Sequence, residues 1–252
     1  MARQMIEPWL YPVLTAVAVL TGFVDSIAGG GGLIMMPTLL FAGLPPHLAL
    51  GTNKVQSICG TAMATWRYRR AGLFRLGPHK GLVAVVFACA MTGALVIERI
   101  DARAVSLIVP VLLLAVALYT VLSPRMDDHE REPRISARAY LPLAGGIGFY
   151  DGFFGPGTGS FFAVSLVGLR GMGLTRATGL TKLLNVTSNA ASIVVFALAG
   201  QVIWLLALCM GLGSVVGAWL GAHSATRFGA RLIRPLLVTA SLALTCRLIW
   251  GW

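Results

Sequence analysis

The sequence predicts an all-helical membrane protein that crosses the bilayer many times and is built from two homologous repeats. Three observations lead there. The 252-residue chain is 57% hydrophobic and 12% charged, with a mean hydropathy of +0.81, whereas soluble domains carry about 25% charged residues. Apolar runs recur along the whole length, and a spanning helix needs about 20 such residues. The third observation is a repeat. Gly22-Phe23-Val24-Asp25 followed by Gly29-Gly30-Gly31-Gly32 returns as Gly148-Phe149-Tyr150-Asp151 followed by Gly155-Pro156-Gly157-Thr158-Gly159.

Taken in order, the apolar periodicity gives ten helical segments, five per repeat. They lie near 9–24, 33–44, 47–70, 80–98 and 103–122, then 138–153, 159–170, 174–198, 202–222 and 231–250. The first run follows Arg3 as a signal peptide would, but it lacks a small-residue cleavage site and leads straight into the repeat, so it reads as a helix. The second segment of each half has only about a dozen residues, too short for an upright crossing at about 1.5 Å per residue. Each is therefore a tilted crossing or a re-entrant half-helix. The third segments each hold one lysine, Lys54 and Lys182, and each is closed by Ala-Gly, at Ala71-Gly72 and Ala199-Gly200. Residues 123–137 form the one clearly polar linker. They divide a first membrane repeat, 1–122, from a second, 138–252.

Loop charge sets the expected orientation. Arg67, Arg69, Arg70, Arg75 and Lys80 follow the third segment, which makes that loop cytoplasmic, whereas the matching Ala199-Gly200-Gln201 is uncharged. The next pair reverses: Glu98, Arg99, Asp101 and Arg103 nearly cancel, while Arg227, Arg231 and Arg234 are all basic. A bias that flips between matched loops predicts inverted repeats with an odd number of crossings each and both termini outside. If the short segments do not cross, the halves become parallel instead.

Several function classes fall away. The formal charge of +11 sits in loops between apolar runs, the positive-inside pattern and not a nucleic-acid face. Cys59, Cys89, Cys209 and Cys246 lie within apolar runs and read as small buried hydrophobes. His47, His79, His129 and His223 show no metal-ligand spacing, so neither a metal nor a cofactor is expected. There is no Gly-x-Ser-x-Gly elbow and no Walker A string. An intramembrane enzyme would need a nucleophile or metal arrangement that is not evident, and a non-transporting assembly partner would leave the buried lysines without a task. Trp9, Trp204, Trp250 and Trp252 lie near segment ends as interfacial anchors.

The polar residues inside the apolar segments carry the chemistry. Thr178, Lys182, Asn185 and Asn189 fall at steps of four, three and four, on one helix face. Leu50, Lys54, Ser57 and Thr61 match them in the first half, with Asn53 and Gln56 alongside. A lysine at the membrane centre costs about 2.5–3.5 kcal/mol on insertion scales, so two of them at matched places imply use or a partner. The glycine turns cannot face lipid, and they let backbone N–H groups approach a ligand. The short helix after each turn points its positive end at the same place, as anion sites do. The residues leave three roles open for Asp25 and Asp151: proton acceptor, turn cap, or lysine partner.

Gly22-Phe23-Val24-Asp25-Ser26-Ile27-Ala28-Gly29-Gly30-Gly31-Gly32, then Pro37, then Ala49-Leu50-Gly51-Thr52-Asn53-Lys54, resembles the first half of the TauE/SafE family of sulfite and sulfonate exporters. Gly152-Phe153-Phe154-Gly155-Pro156-Gly157-Thr158-Gly159 and Thr181-Lys182-Leu183-Leu184-Asn185 resemble its second half. The resemblance implies a multi-pass permease of the bacterial inner membrane that moves sulfite, sulfonates or related small organic anions, carboxylates included. It also implies seven or eight spans, which two re-entrant segments would reconcile with ten. On this reading one anion site lies between the halves. Lys54 and Lys182 supply charge, while Gly30, Gly31, Gly157, Thr52, Asn53, Ser57, Thr158, Thr181, Asn185 and Asn189 supply hydrogen bonds. Asp25 and Asp151 are the proton-coupling candidates. The expected partners are the anion, protons and the bilayer; the sequence leaves the oligomeric state open, a homodimer included.

Overall fold

The computed structural model describes residues 7–122 and 126–228, and every regular element among them is helical. In order these are α1 (Leu10–Ala28), α2 (Gly31–Phe41), α3 (Pro46–Arg70), α4 (Lys80–Glu98, after a 3-10 turn at Gly77–His79) and α5 (Ala102–Leu122). The second half has α6 (Ala137–Phe153), α7 (Thr158–Arg170), α8 (Leu174–Leu198) and α9 (Trp204–Phe228). They correspond to nine of the expected segments. The tenth, 231–250, lies outside the described residues, as do Trp250 and Trp252. Four stretches are long and apolar enough to cross a membrane: Leu10–Ala28, Gly77–Glu98, Leu174–Leu198 and Trp204–Arg227.

Two boundaries differ from expectation for local reasons. α1 continues four residues past the expected end, through Asp25 and Ser26. Gly29, at φ 74°, then stops it and donates its N–H to the Asp25 carbonyl; a left-handed residue is the ordinary helix terminator. α9 runs on through the polar string after Ala222. Ser224 and Thr226 bond back to the carbonyls of Leu220 and His223, so their hydroxyls do not break the helix.

The bundle is organised around α3 and α8, its most polar long helices. They run antiparallel to each other: Gly51 packs by Phe196 at one end, and Gly179 by Tyr68 at the other. α9 lies along both α1 and α3, and α4 along both α6 and α8. Glycine seams fix the outer pairs. Thr15, Val19 and Phe23 of α1 meet Gly213, Gly217 and Gly221 of α9 in that order, so the two helices are parallel. Val86 and Ala90 of α4 likewise meet Gly148 and Gly152 of α6. A Cβ at Gly152 or Gly217 would run into a facing carbonyl, so these backbones approach as only small residues permit.

Residues 126–136 are more than a spacer. Arg131 and Arg134 donate their backbone N–H to the carbonyls of Gly171 and Leu169, Leu174 donates to Asp127, and Met126 is buried. Asp128 Oδ1 accepts from the N–H of Thr175 at 2.7 Å, in the first turn of α8. The segment is strapped across the α7–α8 turn. Beside it lie the end of α3, the start of α4 and the end of α9, where Arg67 meets His223. Arg67, Arg69, Arg70, Arg75, Lys80, Arg131, Arg134, Arg138, Arg170, Arg176 and Arg227 therefore share one end of the bundle.

Candidate functional site

The two glycine breaks meet at the centre. Gly29 abuts Gly159 and Gly32 abuts Pro156 so closely that a side chain at Gly29 would overlap the Gly159 backbone. The breaks end α1 and α6 and start α2 and α7, and Gly30 and Gly157 are the N-caps of the two short helices. Neither glycine can cap with a side chain of its own; Gly31 instead donates its N–H to Asp25 Oδ1, and Leu33, Thr158 and Ser160 donate to the carbonyls of Gly30, Gly155 and Gly157.

Each lysine crosses to the other half. Lys54 Nζ of α3 donates to Asp151 Oδ1 of α6 at 2.6 Å and also to the Asp151 carbonyl. Lys182 Nζ of α8 lies 3.1 Å from Asp25 Oδ2 of α1. Within the membrane-spanning core each cation thus sits against one carboxylate, which offsets the desolvation that an isolated charge would suffer. The two pairs are not equivalent. The Asp151 side chain is 5% exposed and its second oxygen accepts from the hydroxyl of Ser188, whereas that of Asp25 is 23% exposed. Its other oxygen has the N–H of Gly31 at 3.3 Å.

Between the pairs lies a polar cavity of about 30 Å³, room for about two water molecules. Of the residues expected to bind an anion, Asn53, Lys54, Ser57, Gly157, Thr158, Asn185 and Asn189 line it, together with Asp25 and Asp151. Gly29, Gly32, Thr61, Gly155 and Gly159 complete the wall; all five belong to the glycine strings or the lysine-helix face. The amide oxygens of Asn53 and Asn185 are buried without a hydrogen-bond partner, and so are the hydroxyls of Thr178 and Thr181. Of these, among the described residues, Asn53 and Asn185 lie on the cavity wall, which therefore carries unspent acceptors.

Other expected residues lie elsewhere. Lys182 is fully buried behind Asp25 and off the cavity wall, as is Thr181. Gly30 and Gly31 contribute backbone at the start of α2 but no wall. Thr52 accepts from the N–H of Ile203 at 3.1 Å, just before α9 begins, and so ties α3 to α9. Gln56 bonds to Ser214 of α9 in the same manner. Ser188 escaped the sequence reading: a serine beside Asn189 in an apolar helix gives no sign of which carboxylate it will meet. Among the described residues no three potential ligand side chains gather as a metal site.

The family model of the sulfite exporter TauE/SafE matches residues 14–248. The chain belongs to the TauE/SafE family. It is 40% identical over 247 residues to the probable membrane transporter protein YfcA of Escherichia coli K12, covering 98% of this chain and 92% of that one. A probable membrane transporter protein of Sinorhizobium, ORF9, is 44% identical over 241 residues, covering 95% and 92%. One from Haemophilus influenzae is 39% identical over 246 residues, covering 96% of each. No solved structure matches the chain. With several apolar helices, the protein is a multi-pass membrane transporter and not an enzyme.

Proposed function

We propose that this TauE/SafE protein is a secondary transporter of small anions, sulfur oxyanions foremost, in the bacterial inner membrane. It works by alternating access about the central cavity, with the two halves acting as inverted repeats. The observation that carries this reading is the crossed pairing of Lys54 with Asp151 and of Lys182 with Asp25 at the junction of two glycine breaks. Each half supplies the other's counter-charge, so any rocking of one half on the other must disturb both pairs.

The helix directions support inversion. α3 and α8 occupy matching places in the repeats and run antiparallel; α9 runs with α1 and α3, while α6 runs with α4, which returns from the end of α3. The basic end, with the strap, is then the cytoplasmic one. For the ligand, the positive ends of α2 and α7, the Lys54 ammonium and the side-chain NH2 groups of Asn53 and Asn185 offer the attraction and donors that an oxyanion takes. The cavity is smaller than a sulfonate needs, so substrate entry requires a wall to move.

The test is flux of sulfite, sulfoacetate, thiosulfate, sulfate and acetate into liposomes containing the purified protein. Wild-type protein is expected to carry at least one sulfur oxyanion, and Lys54→Met and Lys182→Met each to abolish that flux while still inserting. Wild-type rates in both variants would remove the site assignment.

A further inference from the structure

The two ion pairs are matched in sequence position but not in structure, and the difference has a source in the chain. With Lys54 aligned on Lys182, the position of Ser188 in α8 corresponds to Gly60 in α3. Ser188 gives the Asp151 carboxylate a second donor, so both of its oxygens are held, one by Lys54 and one by the hydroxyl. Gly60 can give Asp25 no side-chain donor, its face being spent on close packing against Ser214, so the second oxygen of Asp25 has only the Gly31 N–H, at 3.3 Å. Asp25 keeps the longer contact, at 3.1 Å against 2.6 Å, and the greater exposure, although both aspartates line the cavity.

We propose that Asp25 alone carries a coupled proton, with Asp151 a fixed clamp for Lys54; this rests on the anion-transport reading above. In the step, a proton adds to the Asp25 carboxylate, the Lys182–Asp25 ion pair is lost, and the Lys182 ammonium becomes the counter-charge of the incoming anion. Charge balances: one proton and one negative charge enter, and no buried charge is left alone. An anion arriving without the proton would face a site already neutral, and would leave a carboxylate stranded in low dielectric, which is strongly unfavourable.

The groups facing Asp25 fit this role. α8 contributes Lys182; α3 contributes Lys54 across the cavity and the buried Tyr68, whose hydroxyl donates to the Ser26 carbonyl at 2.8 Å; α6 contributes Asp151 across the cavity. α2 has no titratable side chain, and Arg170 of α7 reaches back to the Ile135 carbonyl at the strap. On α9, His223 stacks on Trp219 beside Arg67, and Arg227 lies one turn beyond, both at the basic end.

The experiment compares two assays on full-length protein in liposomes, with labelled sulfite and sulfoacetate as probes and the membrane potential clamped. One is accumulation driven by a pH gradient, where a single coupled proton supports about tenfold accumulation per pH unit. The other is counterflow at equal pH, which needs binding and alternation but no net proton movement. Asp25→Asn, which imitates the protonated acid, is expected to lose accumulation and to show counterflow that no longer varies with pH, whatever its rate. Asp151→Asn is expected to lose both. Gradient-driven accumulation in Asp25→Asn, counterflow in it that still varies with pH, or absence of counterflow in an Asp25→Asn protein that is monodisperse and melts as wild type does, would overturn the proposal. Should that variant not fold, Asp25→Glu is expected to retain accumulation with a displaced pH profile, and an unchanged profile would overturn it equally. Absence of counterflow in the wild-type protein is a different result: it removes the anion-transport reading itself.

Discussion

Lys54–Asp151 and Lys182–Asp25 begin as the same sequence feature, an aspartate before a glycine break and a lysine in the next long helix. They end as different objects. Both border the cavity, but the first is held tightly, with the lysine 2% and the aspartate 5% exposed and a serine on the second carboxylate oxygen. In the second the aspartate is 23% exposed and the contact to its lysine is longer. Duplication supplied two copies of one device, and one small-residue difference, Ser188 against Gly60, gives the Asp151 carboxylate a serine donor where Asp25 has only the longer Gly31 N–H contact.

The strongest way to break this comparison is to remove each lysine in turn and measure stability. Lys54→Met strands the Asp151 carboxylate, which is only 5% exposed, and losing one partner of a buried pair is worth about 3–5 kcal/mol. Lys182→Met leaves the more exposed Asp25, which water reaches, so a smaller drop in melting temperature is expected. Equal drops would mean that the two pairs are energetically alike despite their geometry. Adding the second neutralisation, Lys54→Met with Asp151→Asn, is expected to recover much of the loss.

A finer cut removes only the serine hydroxyl. Ser188→Ala takes one donor from an ionised carboxylate, an interaction worth about 1.5–3 kcal/mol. The melting temperature is expected to fall by less than for Lys54→Met. If Ser188 is what distinguishes the repeats, Asp151 in this variant also begins to behave like Asp25, and gradient-driven uptake acquires a second pH-dependent step. A stability loss with an unaltered uptake profile would assign the asymmetry to the longer Lys182–Asp25 contact instead.

The contrast also marks what could be read without coordinates. The long helices were legible because bilayer-length apolar runs admit few alternatives, and both lysines and both aspartates stood out by being charged inside such runs. The cavity wall was largely legible too, since Lys54, Ser57, Asn185 and Asn189 follow a helical step. The crossed pairing was not. It depends on helices from different halves lying side by side, and periodicity within one helix says nothing about its neighbours. Nor could Thr52 be separated from Asn53, its neighbour in sequence: one residue's turn of the helix sends Thr52 to Ile203 and Asn53 to the cavity. Ser188 and Gly60 were visible as letters, but the difference between them had no meaning until Asp151 was found beside one of them.

The segment 126–136 offers the smallest effect and the same kind of contrast, between a contact that is directed and one that is merely close. Asp128 accepts from a backbone N–H in the first turn of α8, where a carboxylate satisfies an orphan donor and faces the positive end of the helix; losing such a cap is worth about 1 kcal/mol. Glu130 instead pairs with Arg176, and both side chains are more than half exposed. Exposed pairs of this kind are worth about 0–1 kcal/mol. Asp128→Ala is therefore expected to lower the melting temperature measurably and Glu130→Ala hardly at all, with high salt erasing what difference the latter makes. The reverse order would place the strap's hold on α8 in its side-chain charges. The expected order places it in the directed Asp128 cap, which adds to the backbone contacts of Asp127, Arg131 and Arg134 that neither substitution touches.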